Sequence, residues 1–133
     1  MIVAIADTHA VLWYLYSDPR LGKGASDFID ATIAAGDQIG ISAISIAEMV
    51  YLVEKGRIPV TALSAVHAAT INPRAVLRHI PLDEDIALKM TEIRRLDIPD
   101  LPDRVIAATA LACSVPVLSR DSKIRSSNIR TIW

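Results

Sequence analysis

Short strand-like runs alternate with longer helical segments along this chain, and that alternation constrains the fold more than any other feature. The runs are Ile2 to Ala6, Gln38 to Ser42, Val76 to Ile80, Pro116 to Ser119 and Ile129 to Trp133. Ile2 to Ala6 has no polar residue at alternate positions, as expected of a strand buried on both faces. Between the runs lie segments that read as helices. His9 to Tyr16 is broken by Ser17-Asp18-Pro19, Ser26 to Ala35 is stopped by Gly36, and Ile44 to Lys55 is ended by Gly56. Another runs from Pro59 towards Asn72-Pro73. Asp83 to Leu96 carries acids in its first turn and Arg94-Arg95 in its last, and Pro102 opens a helix through Ala112. Strands alternating with helices predict one α/β domain over residues 1–133, a three-layer α/β/α sandwich around a mainly parallel sheet. The strand order does not follow from the pattern.

A chain of 133 residues is long enough to bury a substantial core in one domain. No apolar run reaches the roughly 18–20 residues of a membrane helix, because Asp7, Glu48 and Arg104 interrupt the best candidates. The opening MIVAIADTHAVLW lacks a basic n-region and a small-residue cleavage site, so it reads as a strand rather than a signal peptide. Cys113 is the only cysteine, which rules out an intrachain disulfide and makes cytoplasmic residence the expectation. The formal net charge of −1 provides no global basic field for nucleic acid. A polyanion would have to be held by local patches or by bound cations.

Four carboxylates stand almost alone in uncharged surroundings. Asp7 and Glu48 are the only charged side chains between the N-terminus and Asp18 and between Asp37 and Glu54, respectively. Asp103 and Arg104 precede a segment without charge as far as Arg120, which Asp121 follows. Asp7 and Asp121 lie just past expected strand ends, Asp103 in the first turn after Pro102, and Glu48 one turn into the helix after the second strand. In parallel sheets, sites form beyond the carboxyl ends of the strands, so all four are expected at one edge. Two carboxylates about 5 Å apart repel by roughly 3 kcal/mol at an effective dielectric near 20. Such a group must take up protons or a cation. With oxygen donors only, the cation expected is Mg²⁺ or Mn²⁺. Thr8, Ser45 and Ser119 lie beside the acids and are placed to orient them.

Plainer roles exist for each residue. Asp7 can cap the helix after it, Asp103 can stabilise a helix dipole, and Asp121 can start a turn with Ser122. Glu48 is harder to explain away, because Ile44 and Leu52 flank it at helical spacing. His9 is expected to be a satisfied structural histidine, Trp13 and Tyr14 to pack in a core or dimer, and Cys113 to be a small buried hydrophobe. Arg104, Arg120 and Lys123 are candidate phosphate contacts. A receiver-type phosphoryl-transfer protein is a further alternative, since Asp7 follows a first strand. Its lysine would have to be Lys123 or Lys89, neither of which sits in a supporting motif, and no phosphate-cradling GxxxxGK[ST] loop is present.

At these residues the chain resembles the PIN domain, the fold of metal-dependent ribonucleases that includes the VapC-type toxins of toxin–antitoxin pairs. The matching pieces are Asp7-Thr8-His9-Ala10 with Trp13 in the following helix, then Asp18-Pro19-Arg20-Leu21. Next come Ser42-Ala43 with Ser45-Ile46-Ala47-Glu48, and Pro102-Asp103-Arg104 with Ile106 to Leu111. The last are Pro116 to Asp121 and the strand ending in Trp133. The likeness covers essentially the whole chain. It implies that Asp7, Glu48, Asp103 and Asp121 are the acidic quartet holding one or two Mg²⁺ or Mn²⁺ ions, with Asp100 in support. Some members carry a further acidic or Asn residue three positions after the last aspartate, where this chain has Ile124. The resemblance also implies an RNA substrate, a homodimer and a small antitoxin covering the site. The function expected is a metal-dependent endoribonuclease acting as such a toxin. The alternatives are a PIN-like module that only binds RNA or protein, and a PIN nuclease that processes RNA outside a toxin–antitoxin pair.

Overall fold

In the computed structural model, which describes every residue from 1 to 133, a five-stranded sheet is built from β1 (Ile2–Ala6), β2 (Gln38–Ser42), β3 (Leu77–Ile80), β4 (Val117–Leu118) and β5 (Thr131–Ile132). Its order is β3-β2-β1-β4-β5 and every pairing is parallel. Helices α1 (Thr8–Leu15), α2 (Lys23–Ala35), α3 (Ala43–Glu54), α4 (Thr61–Ile71), α5 (Glu84–Lys89), α6 (Leu101–Cys113) and α7 (Ser122–Ser126) make the crossovers. No helix is long and apolar enough to cross a membrane.

The period-two geometry of a strand explains how the core divides. Ala4 and Ala6 of β1 join Ile39, Ile41 and Leu118 in a cluster with Val11, Leu12, Ile29, Met49 and Val66 on one face. Ile5 and Val117 point the other way and meet Ile86, Ile98, Ile106, Ala107 and Ile124. Both faces of the central strands are therefore covered, and this three-layer α/β/α arrangement is the fold class the sequence predicts.

Three elements depart from the sequence reading. The expected helix over 83–96 stops at Lys89 and continues as a single 3₁₀ turn, Met90–Glu92. Ile93 and Ile98 are buried there, at 6% and 0% exposure, and the Arg104 guanidinium takes up the carbonyls of Met90 and Ile93 at 3.0 and 3.1 Å. Tertiary packing overrides helix propensity in this segment. Second, α2 starts at Lys23 rather than Ser26, after Gly22, which makes no side-chain cap bond. Third, a short helix, α7, occupies what read as a turn after Asp121, anchored by the fully buried Ile124.

Candidate active site

The strand order reverses between β1 and β4, since the chain leaves β1 towards β2 and β3 and later returns to its other side. A crevice opens beyond the carboxyl ends of two such strands. Asp7 is the one residue between β1 and α1, and Ser119, Arg120 and Asp121 fill the step from β4 to α7. The Asp7 amide bonds the Leu118 carbonyl at 3.1 Å, tying the two strand ends together.

Around this crevice lies a cavity of about 550 Å³, lined by Asp7, Glu48, Asp100, Asp103 and Asp121 together with Thr8, His9, Trp13, Arg20, Pro99, Arg120, Lys123 and Trp133. A hollow of similar size, about 590 Å³, lies between the ends of α1, α2 and α4 near β3. Most of its lining is apolar, and the only charged groups there are Asp37 and Arg74. Chemistry rather than size therefore selects the first.

Three of the acids are helix N-caps. Asp7 Oδ1 accepts from the Ala10 amide of α1 at 2.8 Å. Asp100 Oδ2 accepts from the Asp103 amide of α6 at 3.1 Å. Asp121 Oδ1 accepts from the amides of Lys123 and Ile124 in α7, both at 3.0 Å. The plain role foreseen for Asp7 is thus real, and it engages one carboxylate oxygen while the second stays outside the cap. Asp103 sits in the first turn of α6, where the helix dipole favours an anion.

Glu48 is held from behind. Thr8 Oγ1 donates to Glu48 Oε1 and lies 3.0 Å from Ser45 Oγ. A hydroxyl has a single proton. With the Thr8 proton given to the carboxylate, the buried Ser45 hydroxyl must be the donor to Thr8. Ser119, also buried, accepts from the Asp121 amide at 3.0 Å. Ser45 and Ser119 are buried and do not line the cavity.

Like charges are concentrated here. Burial, and then the charges of Asp100, Asp121, Glu48 and Asp7, push the Asp103 carboxyl up to about 7. Burial also raises Asp7, opposed by the Ser119 hydroxyl, the Ala10 amide and His9, with Asp121 adding to the rise. No cavity acid forms an ion pair. The ion pairs of the molecule are Met1–Asp37, Arg20–Asp18, Lys23–Asp27, Lys89–Glu92 and Arg94–Asp97. The carboxylate-dominated donor set fits a hard divalent cation, with Cys113 elsewhere and His9 the only imidazole on the cavity. The acids share one cavity without closing on one point, however: no three stand close enough together to hold an ion.

Several residues sit differently from the sequence reading. Arg104, nominated as a phosphate contact, turns away to the Met90 and Ile93 carbonyls, and its Nε is buried without a partner. His9 is exposed on the cavity rim against Trp13, with ring centroids 5.4 Å apart. Ile124, fully buried, supplies no oxygen. Sequence reasoning did not nominate Arg20 or Trp133 for the site, yet both line the cavity. Their isolated pieces, Asp18-Pro19-Arg20-Leu21 and a terminal tryptophan, were the available signal.

The family model for the PIN domain matches residues 4–128. The fold resembles VapBC2 from Rickettsia felis, solved bound to a promoter DNA fragment (TM-score 0.70, 18% identity, covering 98% of this chain and 97% of that one). It also resembles a DNA-bound VapBC from Salmonella typhimurium (0.69, 19%, 98% and 97%) and a toxin–antitoxin complex from Klebsiella pneumoniae (0.65, 23%, 98% and 96%). At these identities the likeness is one of fold. Comparison with curated proteins finds no match.

Proposed function

This chain belongs to the PIN-domain family, and from that premise we propose that it is a divalent-metal-dependent endoribonuclease, the toxin of a toxin–antitoxin pair. The observation that carries the reading is the set of five carboxylates on one cavity, none ion-paired and one held near neutrality. Such an arrangement destabilises the metal-free fold and has no structural use that fewer acids would not serve. PIN domains are generally nucleases, which supports phosphodiester hydrolysis as the reaction.

In this reading Asp7, Asp103 and Asp121 hold Mg²⁺ or Mn²⁺. When bound, the ion lowers the pKa of a coordinated water and neutralises charge on the phosphate. Glu48, fixed by Thr8 and Ser45, either ligates the ion or orients the attacking water. The Asp100 carboxylate keeps α6 capped and adds negative charge beside Asp103. Arg120 and Lys123, on the rim of the cavity, neutralise substrate phosphates. The toxin assignment, a small antitoxin partner and a homodimer are supported by the resemblance of the fold to toxin–antitoxin complexes, and cytoplasmic residence by the lone cysteine.

The test is cleavage of a structured RNA pool with Mg²⁺, Mn²⁺ or EDTA by wild type, Asp7→Asn and Asp103→Asn. Metal-dependent cutting that is lost in both variants is the expected result. Cutting by Asp7→Asn at the wild-type rate would refute the site. One observation favours a second reading, a PIN module that binds RNA or protein without cutting it: the acids do not converge closely enough to hold an ion as they stand. Calorimetric titration with Mn²⁺ separates the two, since the binding-only reading expects no heat from the cavity.

A further inference from the structure

The cavity is bipolar. Its five acids make no ion pair with the arginines that share its lining. Those arginines gather on a single aromatic ring. The Arg120 guanidinium lies over the Trp13 indole at 4.5 Å and that of Arg20 at 5.0 Å. Trp13 itself is immobilised, 6% exposed, with the Trp133 ring edge-on against it at 5.7 Å.

Trp133 in turn rests in a slot cut for it. A Cβ at Gly22 would stand 2.5 Å from Trp133 Cδ1, and one at Gly24 would overlap its main-chain carbonyl. Gly22 is also the α2 residue position that lacks a side-chain cap, so the helix start gives up a common stabilising device where the tryptophan needs room. The two arginines differ in one respect. Arg20 is held by Asp18 in a fork of 3.1 and 2.7 Å. Arg120 is exposed and has no carboxylate partner.

Resting on the nuclease reading, we propose that Trp13 is a positioning residue for Arg120, and that Arg120 grips the phosphate next to the one that is cut. A guanidinium held over an indole face has fewer orientations open to it, so less of its freedom is lost when its paired N–H donors meet phosphate oxygens. Arg20, anchored by Asp18, buttresses the same ring and adds charge without being free to bind. This assigns a joint role to the tryptophans, the Asp18-Pro19-Arg20-Leu21 piece and the arginine before Asp121, which the carboxylate chemistry leaves unused.

Steady-state cleavage of a single-stranded RNA, measured across a salt series, tests it. Arg120→Gln is expected to raise KM about tenfold and to flatten the salt dependence by roughly one phosphate contact. The loss should fall on KM rather than kcat. Arg120→Lys should restore the salt slope but not the KM. Trp13→Leu should raise KM as Arg120→Gln does but keep the salt slope, since the Arg120 charge remains, with the double variant no more than about twofold worse in KM than Arg120→Gln, whereas Trp13→Phe should retain most of the affinity. Should Trp13→Leu fail to fold, Arg120→Lys and Trp13→Phe carry the comparison. An unchanged KM in Arg120→Gln, or fully multiplicative losses in the double variant, overturns the proposal while leaving the nuclease standing. A wild type that cuts no RNA with any metal defeats both.

Discussion

Asp103→Asn should make the metal-free protein more stable at pH 8, and the size of the effect can be worked out in advance. The carboxyl is shifted from 3.8 to about 7, chiefly by burial and then by Asp100, Asp121, Glu48 and Asp7. At about 1.36 kcal/mol per pH unit, ionising it in the folded protein would cost at most about 4 kcal/mol. The cavity is open to solvent, which screens the repulsion, so about 1–2 kcal/mol is the expected part. Asparagine removes the charge at nearly constant shape and gives up about 0.3–1 kcal/mol of first-turn dipole stabilisation. The net gain is then about 1 kcal/mol, or about 3–6 °C in Tm for a domain of this size. The pH dependence carries the sign. The folded protein holds this proton between about pH 4 and 7 and the unfolded chain does not, so wild-type stability falls as pH rises through that window. Thermal melts in EDTA at pH 5 and pH 8 decide the matter. The gain should be largest at pH 8 and clearly smaller at pH 5, where the folded protein still holds the Asp103 proton and wild-type stability has fallen through only part of that window. Equal gains at both pH values, or a loss at pH 8, would show that the acids do not repel as the geometry requires.

Adding Mn²⁺ or Mg²⁺ at about a hundredfold over Kd should raise wild-type stability by about 2.7 kcal/mol; melts of Asp7→Asn under the same conditions should show much less. Thr8→Val, which severs Glu48 from Ser45, should cost activity about 10–100-fold. It should also lower stability by about 1–3 kcal/mol, because the buried Ser45 hydroxyl loses its acceptor, and a urea titration would read this. Arg104→Met should destabilise by about 1–3 kcal/mol through loss of two carbonyl contacts. Hydrogen exchange should then speed up over residues 90–98, and exchange confined to the α6 terminus would contradict that account.

The alternation of strand-like runs and helices was enough to read the three-layer fold, because a parallel sheet with a strand such as Ile2 to Ala6 buried on both sides demands helices on both faces. Strand order was not legible, since the return of β4 to the far side of β1 depends on contacts such as Asp7 with Leu118 that no local pattern displays. The acids stood out because ionised groups are rare in apolar sequence, and the structure does bring them to one cavity. That no three of them stand as a group able to hold an ion could not be read, since spacing along a chain sets direction but not distance. Arg104 misled for a related reason. A charge beside Asp103 reads as part of the site, but the broken segment 90–98 lies within its reach and takes its hydrogen bonds. The Arg20–Trp13–Arg120 cluster brings Arg120 to residues about a hundred positions earlier in the chain, so only the folded molecule reveals it.

The double duty of Asp7, Asp100 and Asp121 has an evolutionary consequence. Asparagine caps a helix about as well as aspartate but carries no charge. On the proposed reading of the site, a lineage can therefore disarm this cavity by one conservative replacement and keep every helix start intact, with stability unchanged or improved. Silent cousins of such a chain should fold as well as active ones, and selection for solubility or abundance would favour the silent form wherever the activity is not needed.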